Sequence, residues 1–422
     1  MGGAGYSCAP VTTAGAQRLD FRLALLGIVA VGVAIRVGYT LVEAPWPPPG
    51  LDDQFYFSAM PKLLADGHGF IAPFKWAFDN NATIATAEHP PLYSVVLALP
   101  ALVGLDSGDA FRLAGSVFGA GTIILIGLLA RRLAGDRAGL IAAGIAAVYP
   151  TLIAADGALM SETLYGLLTA ASLLAAYWLY DQPGPGRAAI FGALVALTAL
   201  TRGEALLLLP LLLAPILRTS AGRRASLAGL AVFLVVLTPW TARNWIVFNQ
   251  PVAIATNSGT AVAGANCAVT YRSGPYLGGW FPPCIKEHPG KNEAEHHSLA
   301  LKDGVRYARH HAGRLPVVLA ARLGRVWSVY KPFSIPEGRS VRFQKVGVIA
   351  FYLLVPFAVA GLWLLRRRRE LTWILLTPFI IVAVTALTTY GNLRFREPAE
   401  VALVVLAAVG VEELLRRREA PA

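Results

Sequence analysis

Charge is scarce in these 422 residues. Only 15% are Asp, Glu, Lys or Arg, against roughly 25% in an average soluble domain. The shortage runs the whole length of the chain, which excludes a soluble enzyme carrying one membrane anchor. Lysine is scarcer still, with seven among the 37 basic residues. Cysteine occurs three times, as Cys8, Cys267 and Cys284, and no Cys-x-x-Cys pair or Cys/His spacing gives a zinc site. Alternation of period two is also missing from the apolar runs, which excludes a membrane β-barrel. What the chain has in abundance is apolar sequence: 55% hydrophobic residues and a mean hydropathy of +0.55. Its apolar runs approach the roughly 20 residues needed to cross a bilayer. The expected fold is an all-α polytopic membrane protein.

The basic excess gives a net charge of +12. Its arginines cluster at the ends of apolar runs, where they specify membrane topology rather than nucleic-acid binding. Together with abundant Ala and Gly, the bias of Arg over Lys points to a GC-rich bacterial genome. The first apolar run follows Arg18 and Arg22 but lacks a small-residue cleavage site, so it is expected to stay as a first helix.

Ten runs read as spans, at about 23–43, 112–130, 138–155, 160–180, 187–201, 204–217, 226–246, 345–365, 371–390 and 398–414. An eleventh, about 91–103, is too short for a comfortable span. If it lies in plane on the outer face, Arg131, Arg132, Arg137, Arg187, Arg218, Arg223, Arg224, Arg366 to Arg369 and Arg416 to Arg418 all fall on the cytoplasmic side. That is the positive-inside pattern. Both termini are then cytoplasmic in the plasma membrane, and two long loops, about 44–111 and about 247–342, lie outside. The chain accordingly divides into an N-terminal transmembrane module (1–246), an outer loop region (247–342) and C-terminal transmembrane helices (343–422). In the first loop Pro45, Pro47, Pro48 and Pro49 stop the first helix. Asp52-Asp53 then opens a second, which Gly67 and Gly69 close. In the second loop, about 293–329 mixes charged and apolar residues at helical spacing.

This topology puts several charged residues on the outer side, where they are costly unless used. They are Arg36, Asp156, Glu162, Arg202, Glu204, Arg243, Arg394 and Arg396. Arg36 is close enough to the interface to snorkel, and Arg202 with Glu204 could be a purely structural pair. As a set, outer arginines oppose the positive-inside bias, and a phosphate anion is the partner that suits a guanidinium fork. The carboxylates Asp52, Asp53, Glu88, Asp156 and Glu162 fall on the same side. A carboxylate beside cations stays ionised, as a general base must. Asp52 and Asp53 also suit a helix cap, which is compatible with catalysis.

The segments Asp52-Asp53-Gln54-Phe55-Tyr56 and Glu88-His89-Pro90-Pro91-Leu92-Tyr93 resemble the first outer loop of GT-C glycosyltransferases. The similar branch includes protein O-mannosyltransferases, the lipid A aminoarabinose transferase and RgtA/B/C/D-like enzymes. Further similar segments are Arg131-Arg132-Leu133-Ala134-Gly135, Leu200-Thr201-Arg202, Pro239-Trp240-Thr241-Ala242-Arg243-Asn244 and Arg394-Phe395-Arg396. The resemblance implies an enzyme that moves a sugar from a polyprenyl-phosphate carrier to a lipid, glycan or protein acceptor outside the cytoplasm, with inversion. It implies Asp52 as the catalytic Asp, the general base; Asp53, about 100° further around the helix, is expected to be a supporting or capping carboxylate. Tyr56, Glu88, His89, Asp156, Glu162, Arg202, Arg243, Arg394 and Arg396 are the substrate-binding candidates. The second acidic residue, often Glu in protein-acceptor members, is here Asp53, which leaves the acceptor open. The rival class is a transporter or flippase of a lipid-linked saccharide, but no paired broken helices occur in matching halves.

Cys267 and Cys284 share the second outer loop, where oxidation is permitted, and are expected to bond. Asn266, Tyr271 and Trp280 beside them are weaker pocket candidates. Glu88 and His89 are suitable ligand types for a divalent cation, but two adjacent residues are not a site, and structural or substrate-orienting roles are preferred.

Overall fold

The structure, a computed structural model, describes residues 20–43, 53–334 and 339–419. Cys8, Pro45 to Pro49 and Asp52 lie outside these residues. The described chain is helical, with one isolated bridge between Ile71 and Ala85.

Helix α1 (Phe21–Gly38) is capped by Asp20 and runs into a π-helical turn, Tyr39–Glu43. Two short helices follow, α2 (Asp53–Ala65) and α3 (Pro73–Phe78), then α4 (Leu92–Ala101). The expected stop after α2 is present: Gly67 and Gly69 have φ of +81° and +71°. The ten residues of α4 reach about 15 Å at 1.5 Å per residue, half of the roughly 30 Å hydrocarbon core. Tyr56, Phe57 and Met60 of α2 bury against Tyr93 and Leu97 of α4, closing one end of the bundle.

Helix α5 (Gly108–Val148) is two helices joined at Ala134 and Gly135. Gly135 has φ +87° and ψ 179°, a conformation open essentially only to glycine. The arms fold back on one another so tightly that a Cβ on Gly139 would meet the Gly127 carbonyl oxygen at 2.8 Å. Small residues let membrane helices approach in this way. The expected span 112–130 lies in the first arm; the expected span 138–155 covers the second arm and continues, past an extended Tyr149, into the next helix.

Helices α6 (Pro150–Asp156), α7 (Glu162–Asp181) and α8 (Pro185–Ala199) come next. The run expected at 204–217 is a broken helix: 3-10 turns Gly203–Leu207 and Ala214–Arg218 flank α9 (Leu208–Leu213). Pro210 and Pro215 lack the N–H groups that a regular helix would use. Helix α10 (Ser220–Phe248) crosses α8 where Gly192 meets Gly229. The second long loop holds α11 (Asn257–Ala265), α12 (Ala268–Tyr271), α13 (Glu293–His310) and α14 (Leu315–Val326). The last helices are α15 (Val341–Arg367), α16 (Trp373–Thr388) and α17 (Glu397–Glu419).

Helix α17 is buried continuously from Glu397 to Gly410, as expected of a helix apolar on every side. It packs against α5, α7 and α15. Every apolar run expected to span is therefore helical. Among the described residues, five helical stretches are long and apolar enough to cross a membrane: Phe21–Val42, Gly108–Val148, Glu162–Asp181, Ser220–Phe248 and Val341–Arg367. Exposed Leu23, Leu26, Val235, Ile246, Leu353 and Val359 give these helices an apolar exterior suited to lipid.

Candidate active site

A cavity of about 970 Å³, including the part open to solvent, lies at the bundle end closed by α2 and α11. Helix ends and loops build it. Asp53 starts α2, Ser161 precedes α7, Thr201 to Glu204 follow α8, and Thr389 to Phe395 join α16 to α17. Helix α11 supplies Asn257, Ser258 and Thr260, and Trp280 comes from the loop beyond it.

Glu88 and His89 enter from an extended segment held on both sides. The Thr256 N–H donates to the Ala87 carbonyl at 2.9 Å and the Asn257 N–H to the Glu88 carbonyl at 3.3 Å. Glu293, at the start of α13, accepts from the Ala87 N–H at 2.7 Å and the Thr256 hydroxyl at 2.6 Å. The Leu92 N–H, just past Pro90-Pro91, donates to the Leu200 carbonyl at 2.9 Å. These bonds lock the first outer loop against the turn that carries Arg202.

Two arginines and three acids are linked inside. Arg394 donates from Nη1 to Asp53 Oδ2 at 2.7 Å, and its Nε lies 3.6 Å from Glu162. Arg202 pairs with Glu162 at 2.9 Å and with Glu204 at 2.6 Å. His89 Nε2 lies 3.6 Å from Asp53 Oδ1, while its Nδ1 faces the Asn257 amide at 3.3 Å. Burial would raise the Asp53 carboxyl, but Arg394, His89 and Arg202 outweigh it and hold it at about 2. Burial pushes the Glu88 carboxyl up to about 8, helped by Glu293 and Asp53. Among the described residues no cation pairs with Glu88. His89 is lowered, first by burial and then by the two arginines. The cavity thus holds one firmly ionised carboxylate and one that retains its proton near neutrality.

The structure sorts the remaining sequence candidates. Tyr56 is buried beneath His89, ring centroids 4.5 Å apart. Glu162 is buried between Arg202 and Arg394. Asp156 sits elsewhere, in a buried pair with Arg36 at 2.6 Å, and also accepts from Thr163. Arg36 does not snorkel: its guanidinium also donates to the carbonyls of Gly32, Ala146 and Ala147. Arg243 donates to the carbonyls of Phe70 and Thr86 at 2.9 and 2.8 Å, clamping the Ile71–Ala85 bridge. Arg396 is buried against Phe351, with Glu400 at 2.5 Å and Ser328 at 2.9 Å. Cys267 and Cys284 are bonded, with Cα atoms 6.2 Å apart. Asn266 and Tyr271 bond one another, and Asn266 accepts from Arg322. Of that weaker trio only Trp280 reaches the cavity.

Sequence reasoning did not single out Asn257, Tyr390 or Glu293 as site residues. Tyr390 carried a signal, being an aromatic residue at the outer end of an expected span. Asn257 and Glu293 carried none, because their positions depend on how the two outer loops meet. Among the described residues, no three of His, Cys, Asp and Glu cluster as metal ligands.

These features define a polytopic helical membrane protein with a charged cavity at one bundle end, and its fold is similar to that of an archaeal oligosaccharyltransferase. Residues 88–242 match the model of the dolichyl-phosphate-mannose-protein mannosyltransferase family. The chain resembles the oligosaccharyltransferase of Archaeoglobus fulgidus in its apo form, with TM-score 0.58 and 14% identity over 94% of this chain and 51% of that one. The structure of that enzyme, AglB, with an inhibitory peptide and a dolichol-phosphate gives the same TM-score, identity and coverage. The chain spans about half the length of these archaeal proteins. ArnT from Cupriavidus metallidurans bound to undecaprenyl phosphate matches with TM-score 0.46 and 17% identity, over 92% of this chain and 78% of that one. No curated protein matches the sequence.

Proposed function

We propose that the chain is a membrane glycosyltransferase that takes a sugar from a polyprenyl-phosphate carrier and transfers it, with inversion, to a hydroxyl acceptor at the outer cavity. One observation carries this reading. The Asp53-Arg394 pair joins residues 341 positions apart, and Glu88, His89 and Arg202 line the same cavity. Acids, a neutral imidazole and guanidinium groups converge there at the membrane end where a lipid-borne phosphate can arrive.

The chemistry follows from these groups. Phosphate is a good leaving group, so cations that stabilise its developing charge do most of the work. Arg394 and Arg202 are placed for that task. An ionised carboxylate takes the proton of the acceptor hydroxyl, and the hydroxyl oxygen attacks the anomeric carbon opposite the phosphate. The carbon–oxygen bond to phosphate breaks with its electron pair on the phosphate, and the anomeric centre inverts. By motif position Asp52 is the base. Asp53, tied to Arg394, positions that guanidinium. Arg243, Arg396 and Asp156 act through the scaffold.

A cavity at the bundle end rather than at the midplane favours a transferase over a transporter. The test is transfer of labelled sugar from a polyprenyl-phosphate donor into membrane lipid, glycan or protein by the full chain. Asp52→Asn is expected to abolish most of that incorporation. Saccharide movement across vesicles without transfer would instead support a flippase.

A further inference from the structure

Part of the cavity wall is aromatic, and the mechanism above leaves it unused. Trp280 and Tyr390 both line the cavity. Their rings are nearly parallel, 25° apart, with centroids separated by 6.0 Å. The Trp280 indole N–H donates to the Thr260 carbonyl at 3.1 Å, which fixes the ring. Gly264 makes room for it: a Cβ there would lie 2.4 Å from the indole nitrogen. The loop bearing Trp280 is closed by the Cys267–Cys284 disulfide. It is tied to the Tyr390 turn by the Gly391 N–H, which donates to the Gly278 carbonyl at 2.8 Å. Tyr390 in turn abuts Phe395 at 4.8 Å and lies 3.4 Å from Arg394 Nη2.

We infer that Trp280 and Tyr390 form a subsite that stacks on the ring of the donor sugar and helps to select it. This rests on the polyprenyl-phosphate-sugar reading of the cavity. A pyranose has an apolar C–H face and a rim of hydroxyls. It is bound by an aromatic surface flanked by polar side chains, and Asn257, Ser258 and Thr260 supply the latter. The sugar is bonded directly to its phosphate. A phosphate held at Arg394 therefore leaves its sugar within a ring's width of Tyr390, which makes the donor sugar, rather than the acceptor, the occupant of the wall. Preorganisation by the disulfide-closed loop lowers the ordering cost of binding.

The experiment uses the full chain in lipid nanodiscs. Equilibrium binding is measured for sugar-free polyprenyl phosphate and for polyprenyl phosphates bearing mannose, glucose or arabinose. The unaltered chain is expected to bind at least one sugar-bearing lipid more tightly than the sugar-free one. Trp280→Ala should weaken that lipid roughly three- to tenfold and sugar-free polyprenyl phosphate less than twofold. Trp280→Phe should keep most of the preference. Gly264→Ala, which displaces the indole, should mimic Trp280→Ala, with the melting temperature of each variant confirming that it folds. The subsite is overturned if the unaltered chain does not prefer any sugar-bearing lipid, if Trp280→Ala leaves the preference intact, or if it weakens all four lipids equally. Failure of the unaltered chain to bind any of the four would overturn the donor reading itself.

Discussion

At the residue scale, two neighbouring acids of the outer cavity are held in opposite protonation states. Asp53 stays ionised down to a pH of about 2 because Arg394 and His89 outweigh its burial. Glu88 keeps its proton up to about 8 because burial, Glu293 and Asp53 all act in one direction. The Glu88 value lies above the ordinary 4.5, so between these limits the folded state binds more protons than the unfolded one. Stability from this group is complete below about 4.5 and is lost as pH rises through about 8. Glu88→Gln cannot ionise, so its melting temperature should lose this downward trend between pH 5 and 8. An unchanged slope would remove Glu88 as its source.

The roles proposed for Asp52 and Arg394 are tested by substitution at the same scale. Asp52→Asn keeps the shape but removes the proton acceptor, and should cut turnover roughly 10²–10⁴-fold while sparing donor binding. Arg394→Ala should instead weaken binding of polyprenyl phosphate about tenfold or more, since it leaves Asp53 and Glu162 without a shared cation. If Asp53→Asn abolished transfer and Asp52→Asn did not, the two roles would be exchanged. Arg243→Ala should show its effect in stability, because its guanidinium is spent on the Phe70 and Thr86 carbonyls.

At the element scale, helix crossings through small residues set the frame. Helix α1, the first arm of α5 and the end of α6 meet at the Arg36–Asp156 pair, and Gly119 leaves room for it. A Cβ at Gly119 would lie 2.2 Å from Asp156 Oδ2 and 2.6 Å from Arg36 Nε. Gly119→Ala must therefore separate a buried ion pair or displace a helix, at a cost of about 3–5 kcal/mol. A clear fall in melting temperature is expected; an unchanged one would mean that the pair contributes little to stability. The ten apolar runs were legible as helices because their length and hydropathy are local properties. The break within 203–218 and the turn at Gly135 were foreshadowed by Pro210, Pro215 and Gly135. The sequence did not reveal which helices touch, since a glycine's partner lies on another helix.

At the scale of the whole molecule, the two bundle ends differ in chemistry. The α5 turn, the end of α7 and the C-terminal part of α17 are joined by ion pairs of Arg132 with Asp181 and Arg137 with Glu419. Arg368, just past α15, pairs with Glu413 of α17 at the same end. The cavity occupies the other end. From the positive-inside bias we propose that the arginine-rich end faces the cytoplasm. Gly135 is a poor place for a reporter because its φ of +87° strains any side chain. Gly184, between α7 and α8, has open space around it. With Cys8 replaced by serine, Gly184→Cys should resist a membrane-impermeant thiol reagent in intact cells and react after lysis. Labelling in intact cells would invert the topology.

The outer loop gives a second test at this scale. Its disulfide closes a span of 17 residues, which in the chain-entropy model contributes about 3 kcal/mol. Replacing both cysteines by serine should lower the melting temperature and raise KM for the sugar donor more than it lowers kcat, since the loop carries Trp280. Equal loss of stability with an unchanged KM would separate the disulfide from the cavity.

The sequence alone determined the helical membrane class, the helix positions and the residues of the first outer loop, because hydropathy, charge at helix ends and short motifs are local in the chain. It also named Glu88, His89, Arg202 and Arg394, since charge on the apolar outer side is costly enough to notice. Only the tertiary structure decided which charges line the cavity. Arg36, Asp156, Arg243 and Arg396 were outer-side candidates like Arg394 in sequence, yet Arg394 lines the cavity whereas they do not. Trp280 and Tyr390 became one wall for the same reason: the Gly391–Gly278 backbone bond unites two segments distant in the chain, and no local pattern encodes that meeting.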